Sequence, residues 1–162
     1  MDPLNFAEDI RRGKIGEDIF KEDFLDFLNI NYLDVTSKQQ FQAIDTDFNT
    51  KIGLYEIKTN YKDDNHIIIE EYTNCNLKYG SLTWGWWYKT KADLIVFISK
   101  ATRDMILLPL DDNLRDYYDF IKEDYNLIRN KPTQHNGKMW QSAFRRINLD
   151  DLIGFYSRYK KV

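Results

Sequence analysis

Two neighbouring segments of the chain favour a β-hairpin, and this pairing constrains the fold more than any other feature of the sequence. The two predicted strands, joined by a polar turn at residues 49–51, are Gln39–Phe48 and Lys51–Thr59. Side chains two residues apart on a strand point to the same face. Asp45 and Asp47 therefore share one face of the first strand, and Glu56 and Lys58 share one face of the second. If the hairpin aligns these faces, carboxylates and an ammonium group converge on a small volume that suits a divalent cation such as Mg²⁺.

Hydrophobic periodicity predicts the other elements. Apolar residues at helical spacing predict a helix over residues 5–28, with 15–28 as its firm part because Gly13 and Gly16 favour a break. Runs rich in β-branched and aromatic residues predict strands at Tyr32–Thr36, His66–Tyr72, Leu94–Ser99, Met105–Leu110 and Arg145–Leu149. The remaining predictions are a helix at Asp111–Ile128, a loop at Lys131–Gly137 and a short helix from Asp150. Residues 73–92 follow no clear pattern, and the order of elements predicts an α/β sandwich around a mixed sheet.

The composition excludes several classes of protein. A hydrophobic content of 43% with 15% aromatic residues excludes wholesale disorder. No apolar run approaches the roughly 20 residues that a membrane span needs. Cys75 is the only cysteine, and His66 and His135 are the only histidines, so an intrachain disulfide and a Cys/His zinc cluster are both excluded. The N-terminal residues lack the basic-then-apolar pattern of a secretory signal, and we therefore expect an intracellular, cytoplasmic protein.

The charge is distributed unevenly along the chain. We predict one domain over residues 1–162, with a core at about 5–128 and a basic C-terminal extension at 129–162. The extension has eight basic and two acidic residues, a net charge of +6, which leaves −9 for the rest of a chain whose total is −3. Such a division suits a protein that grips a phosphate backbone with one part and metal ions with another. On charge alone, a solvated basic tail explains the pattern equally well.

Two acidic positions have both a structural and a functional interpretation. Glu56-Ile57-Lys58 ends a predicted strand whose same face begins with apolar residues, which places these charges at the rim of a buried region. An ordinary exposed Glu/Lys pair is the alternative. Glu17 lies near the centre of the apolar stripe of the first helix, where a carboxylate is costly unless it is paired. It faces the same cleft as the other acids, or else it lies on the surface of a helical first turn that begins after Gly16.

These motifs together resemble the PD-(D/E)xK nuclease superfamily. Gly16-Glu17 on a first helix precedes an Asp that ends a strand, and Glu56-Ile57-Lys58 follows on the next strand. The segment Gln42-Ala43-Ile44-Asp45 is similar to the Gln-x-x-Ile-Asp form of smaller phage and bacterial members. Ile44 stands where the superfamily usually has proline, and the resemblance covers about residues 13–110. The superfamily includes restriction endonucleases and Holliday-junction resolvases.

The resemblance implies a restriction-endonuclease-like αβββαβ core, with a central mixed sheet flanked by helices. It implies a hydrolase, a metal-dependent endonuclease that cleaves phosphodiester bonds in DNA and belongs to a phage or mobile element. Structure-specific cleavage is one form of this activity, and a homodimer is expected if the protein resolves junctions, because resolution needs two active sites. A catalytically inactive module of the same fold that binds nucleic acid or protein is the alternative. A third interpretation is a small acidic interaction protein with an accidental acid-x-Lys match.

The resemblance also implies roles for individual residues. Asp45, Glu56 and the backbone carbonyl of Ile57 would hold Mg²⁺ or Mn²⁺, with Asp47 as a supporting or the true ligand. Lys58 would position the attacking water and stabilise the charge of the transition state. Two further carboxylates are assigned by position: Glu17, which reaches the site from the helix, and Glu70, which is a weaker candidate.

An aromatic cluster between the predicted strands has two interpretations. The cluster consists of Trp84, Trp86, Trp87 and Tyr88. These rings would stack on unpaired bases or would fill the core between helix and sheet, and the core is favoured. Lys89, Lys91 and His135 are candidate DNA contacts, and Cys75 is expected to be an inert thiol.

Overall fold

The protein, described by a computed structural model, has an α/β fold with a mixed central sheet. The backbone is described at residues 3–42, 46–59 and 61–162, and the side chains at residues 10–40, 46–59, 61–134 and 136–162. The α-helices are α1 (Pro3–Phe20), α2 (Gln39–Gln42), α3 (Trp86–Lys89) and α4 (Asp112–Ile121). The strands are β1 (Tyr32–Asp34), β2 (Phe48–Thr50), β3 (Gly53–Lys58), β4 (His66–Asn74), β5 (Thr83–Trp84), β6 (Leu94–Ile98), β7 (Met105–Pro109), β8 (Ile128–Arg129), β9 (Thr133–His135), β10 (Lys138–Trp140), β11 (Ala143–Asn148) and β12 (Ser157–Tyr159). A π-helical turn at Lys21–Asp26 extends α1, and 3₁₀ turns lie at Leu77–Tyr79, Lys122–Asp124 and Leu149–Leu152.

The central sheet has six strands in the order β1-β2-β3-β6-β7-β12. Strands β3 and β6 run parallel, and the other neighbours in this sheet are antiparallel. The connection from β3 to β6 is long because it contains β4, β5 and α3. A parallel pair needs such a crossover, and its two carboxyl ends meet at one edge of the sheet.

A second, antiparallel sheet has the strand order β5-β4-β11-β8. Strands β9 and β10 form a separate hairpin whose turn residues, Asn136 and Gly137, have φ angles of 49° and 76°. An Asn-Gly pair with positive φ at both positions is favoured in two-residue hairpin turns. Strand β11 pairs with β4 and strand β12 with β7, so the basic C-terminal segment contributes a strand to each of the two larger sheets.

The hydrophobic core forms two layers on opposite faces of the central sheet. Alternate residues of β6 separate these layers: Val96 and Ile98 pack towards α1, whereas Ile95 and Phe97 pack towards the second sheet and α4. On the α1 side, Phe20 is fully buried and its ring contacts those of neighbouring strands. The central sheet therefore lies between α1 and the second sheet.

Several predicted boundaries are wrong, and local contacts explain why. Within the predicted strand Gln39–Phe48, Gln39–Gln42 is an α-helix and Phe48 begins β2, whereas residues 43–45 lie outside the described residues. Glutamine, which occupies three of the four helical positions, favours helices. Strand β1 ends early, because the Asp34 carboxylate accepts a hydrogen bond from the Thr36 N–H at 3.1 Å and turns the chain. The predicted break at the α1 glycines does not occur, since α1 continues through both.

Two further predictions fail in the C-terminal half. The helix predicted at Asp111–Ile128 ends at Ile121, and Ile128 belongs to β8. The Arg145 guanidinium donates to the carbonyls of Lys122 and Tyr125, which draws the chain into a 3₁₀ turn. The loop predicted at residues 131–137 contains β9, and the helix predicted from residue 150 is the short 3₁₀ turn from 149 to 152. Among the described residues, no helix has the length and apolar character to cross a bilayer.

Candidate active site

Asp47 immediately precedes β2 and lies beside the edge of β3. Its N–H donates to the Tyr55 carbonyl at 2.7 Å, and its carboxylate Oδ2 accepts a hydrogen bond from the Ile57 N–H at 2.8 Å. The N–H and C=O groups of successive strand residues point to alternate edges, so the Ile57 carbonyl also faces the edge where Asp47 lies. Asp47 is thereby held against the backbone of the strand that contains Glu56.

Glu56 and Lys58 meet on the opposite face of β3 from α1. Tyr55 and Ile57 pack into the α1 layer, and the alternation of the strand turns Glu56 and Lys58 towards the second sheet. Glu56 is only 6% exposed, and the Lys58 Nζ lies 2.5 Å from its Oε1. The same Nζ lies 5.0 Å from the centroid of the Trp86 ring, a cation–π distance. The predicted shared face is therefore present, with the ammonium between a carboxylate and an indole.

Negative charge accumulates at this end of β3. Burial and the charge of Glu56 raise the pKa of Asp47 to about 8, and the hydrogen bond from Ile57 opposes this rise. Burial also raises the pKa of Glu17 to about 6, and Glu56 is among the acids whose charges add to the effect. The negative charge of Glu56 therefore disfavours the ionisation of Asp47 and Glu17, and a cation beside them would relieve this repulsion.

Gly16 brings α1 close to β3 and so positions Glu17. A Cβ atom at residue 16 would overlap the Thr59 Cγ2 and would lie 3.0 Å from the Thr59 Cβ, so only glycine allows this approach. Glu17 is half-buried and belongs to α1, which packs on the face away from the Glu56 and Lys58 side chains. Its charge nevertheless contributes to the raised pKa of Asp47, so Glu17 acts on that carboxylate electrostatically from the α1 side.

Glu70 approaches Lys58 from the second sheet. Burial raises the pKa of Glu70, and the charge of Lys58 together with a hydrogen bond from the Trp86 N–H opposes this rise. Gly85 packs directly on this residue, because a Cβ there would overlap the Glu70 carbonyl oxygen. Glu70 thus belongs to the same charged cluster, on the sheet that faces β3.

A basic cleft of about 640 Å³ adjoins the cluster. Its lining residues are Arg12, Thr59, Tyr61, Lys62, Ile68, Ser99, Lys100 and Ala101. Thr59 directly follows Lys58, and Lys100 follows the parallel strand β6, so the cleft lies outside the carboxyl ends of the parallel pair, where α/β sheets commonly bind ligands. Sequence reasoning missed Arg12, Lys62 and Lys100. Lys62 and Lys100 each follow a predicted strand, and this position was the available sequence signal. It points to a shared cleft only if the two strands are known to be parallel neighbours.

Some predicted site residues lie outside the described residues or apart from the cluster. Asp45 and the segment 43–45 fall outside the described residues, as does the side chain of His135. Within the described side chains, no group of three His, Cys, Asp or Glu residues is arranged to hold a metal ion. Trp86 and Trp87 are buried in the core, as predicted, whereas Trp84 is 53% exposed.

No protein-family model, curated protein or solved structure matches this chain.

Proposed function

We propose that this protein is a metal-dependent endonuclease that hydrolyses phosphodiester bonds in DNA, with a site of the PD-(D/E)xK kind. One observation carries the proposal: Asp47, Glu56 and Lys58 gather at the carboxyl end of β3, directly beside a cleft with three cationic side chains. Carboxylates that can bind a cation thus adjoin a surface that can bind a polyanion.

The residues present fit a hard divalent cation. The carboxylates of Asp47 and Glu56 and the carbonyl of Ile57 are oxygen donors, and their mutual repulsion favours a bound positive charge. Mg²⁺ commonly takes one or two protein carboxylates and keeps several waters, so a cluster of three acids is not required. Asp45 remains a predicted further ligand. When bound, Mg²⁺ or Mn²⁺ would polarise the scissile phosphate and lower the pKa of a water molecule.

Lys58 supplies a positive charge that stabilises the negative charge developing on the phosphoryl oxygens. Its side chain is 19% exposed, and its ammonium lies between Glu56 and the Trp86 ring, which restricts its position. A preorganised donor in a partly desolvated site stabilises the charge that develops on phosphoryl oxygens better than a mobile surface lysine does. The Glu70 carboxylate interacts electrostatically with this ammonium from the second sheet.

The basic cleft supplies the DNA-binding surface. Contacts between phosphates and the side chains of Arg12, Lys62 and Lys100 would release counterions, so binding should weaken steeply with salt. The overall charge of −3 does not prevent this, because three cationic side chains line the cleft beside the site. The order of elements also supports a restriction-endonuclease-like core, since α1 precedes the β1-β2-β3 meander and β6 joins β3 in parallel.

A catalytically inactive DNA-binding module is the second candidate. The observation that favours it is the short contact between Lys58 and Glu56, which neutralises a carboxylate proposed to hold the metal. In that case the cleft would bind DNA and the carboxylates would be structural. Cleavage separates the two candidates, because both predict salt-dependent binding.

The test is a cleavage assay with Mg²⁺ or Mn²⁺ over linear, nicked, flapped and four-way DNA. Lys58→Met and Glu56→Gln should each lower the cleavage rate by about 10²–10³-fold. Lys51→Met is the matched control, because Lys51 is exposed in the turn at the other end of the same hairpin. Cleavage that survives in Lys58→Met overturns the proposal, and binding by the wild type without any cleavage supports the inactive module. Asp45→Ala and Asp47→Asn, compared in the same assay, identify the main acidic ligand.

A further inference from the structure

Trp84 is exposed although its ring is already stacked. The indole is 53% exposed, and it stacks on the Tyr72 ring with centroids 5.2 Å apart and planes at 23°. The Tyr88 ring contacts it at a centroid distance of 4.7 Å. Trp86 and Trp87 nearby are buried and serve the core, so the exposure of Trp84 is not explained by packing. The pair Tyr72–Trp84 is a flat aromatic surface that stays partly open to solvent.

This aromatic surface is fixed to the candidate active site by short connections. Tyr72 follows Glu70 by two residues on β4, roughly 7 Å along the strand, and the pairing of β4 with β11 has a register irregularity between these two residues. Thr73 Oγ1 lies 3.2 Å from the Trp84 carbonyl and 3.4 Å from the Glu70 Oε1. Gly85, the residue after Trp84, packs on the backbone of Glu70. The position of the rings relative to Lys58 and its carboxylates is therefore set by the fold.

Positive charge lies beside the same rings. The Lys122 Nζ is 5.9 Å from the centroid of the Tyr88 ring, and the charge of Lys89 acts on the Glu70 carboxylate. Aromatic rings flanked by cations are the surface that single-stranded nucleic acids recognise, because every base has a face that can stack. The bases of an intact duplex are stacked on one another and cannot reach such a surface.

We propose that the Tyr72–Trp84 pair is a stacking platform for an unpaired base of the DNA substrate, next to the scissile phosphate. The inference rests on the proposed function and narrows its substrate to DNA with unpaired nucleotides, such as a single strand, a flap or an open branch. The Arg12/Lys62/Lys100 cleft on one side of the cluster would hold the backbone, and the platform on the other side would hold a base.

The test measures binding of fluorescein-labelled single-stranded oligothymidine and of a duplex of equal length, in EDTA, by fluorescence anisotropy. Trp84→Ala should weaken single-strand binding by about 5- to 150-fold and should leave duplex binding unchanged. Trp84→Phe should keep most of the affinity, since phenylalanine retains a stacking face. Phe120→Ala is the matched control, because Phe120 is 82% exposed on α4 and lies outside the platform.

A second measurement covers the case in which Trp84→Ala fails to fold. Oligothymidine should quench the intrinsic tryptophan fluorescence of the wild type. Trp84→Phe should lose most of that quenching, because Trp86 and Trp87 are buried and the partly exposed Trp140 belongs to the β9–β10 hairpin, outside the platform. Single-strand binding that persists unchanged in Trp84→Ala, or quenching that persists unchanged in Trp84→Phe, overturns the platform and leaves the nuclease proposal intact. A wild type that binds neither oligonucleotide overturns both.

Discussion

The two glycines of α1 offer a matched pair of substitutions that tests how the helix is seated on β3. A Cβ atom at Gly13 would meet no atom within 4 Å, whereas at Gly16 it would overlap Thr59 and lie 3.6 Å from the Ile57 Cγ2. Both residues lie inside the same helix, so alanine gives each the same gain in helix propensity. We predict that Gly13→Ala stabilises the protein and that Gly16→Ala destabilises it.

The magnitudes follow from two opposing effects. Alanine is favoured over glycine in a helix interior by about 1 kcal/mol, and Gly13→Ala should show that full gain. Gly16→Ala adds an overpacking cost of about 1–3 kcal/mol, because the nearest obstruction includes the Cβ of Thr59 as well as its methyl group. The two variants should therefore differ in free energy of unfolding by about 1–3 kcal/mol.

Urea denaturation of the two single variants and of a Gly16→Ala/Thr59→Ser double variant measures the effect. Thr59→Ser removes the methyl group that the new Cβ overlaps, so it should recover part of the loss caused by Gly16→Ala. The displaced helix also carries Glu17, and cleavage should fall together with stability in Gly16→Ala. A Gly16→Ala protein as stable as Gly13→Ala would refute the close approach of α1 to β3.

Two further predictions concern buried carboxylates. The pKa of Asp47 is raised from 3.8 to about 8, so the folded, metal-free protein loses stability as the pH rises from about 4 to about 8. Asp47→Asn removes this ionisable group. It should raise the free energy of unfolding at pH 8.5, on the order of 2–4 kcal/mol, and should have little effect at pH 4. An equal effect at both pH values in urea denaturation would contradict this account. The Arg103 guanidinium contacts the buried Asp23 carboxylate at 2.6 and 2.8 Å and lowers its pKa, so Arg103→Ala should cost about 1–3 kcal/mol at pH 7. The lowered pKa of Asp23 stabilises the folded protein fully only above the ordinary pKa of this carboxyl group, so the cost of Arg103→Ala should shrink as the pH falls below about 4. Thermal unfolding of the variant and the wild type at pH 7 and pH 3 checks this prediction.

The predictable part of the fold is the part in which local pattern and tertiary environment agree. The apolar runs at Leu94–Ile98 and Met105–Pro109 are strands because they are buried on both faces of the central sheet. The shared face of Glu56 and Lys58 follows from the period of two alone. The Asn136-Gly137 pair is also a hairpin-turn signal in the sequence, and the prediction of a loop at residues 131–137 did not use it.

The remaining features depend on partners that are distant in sequence. The end of α4 at Ile121 is set by Arg145, and this residue is itself paired with the buried Glu71 at 2.8 Å. The basic cleft depends on the parallel pairing of β3 with β6, which brings Lys100 near the end of β3. The Trp84 platform requires Tyr72 from another strand. The spacing of residues along the chain does not predict these contacts.

The central claim is that Asp47 and Glu56 share a divalent cation beside Lys58. Anomalous diffraction from crystals of the protein soaked in Mn²⁺ tests this claim most directly. We expect a manganese peak bonded to the Glu56 carboxylate and to an acidic side chain at the edge of β3, with loss of the peak in Glu56→Gln crystals. Manganese bound only elsewhere, or a peak that persists without the Glu56 carboxylate, would contradict it.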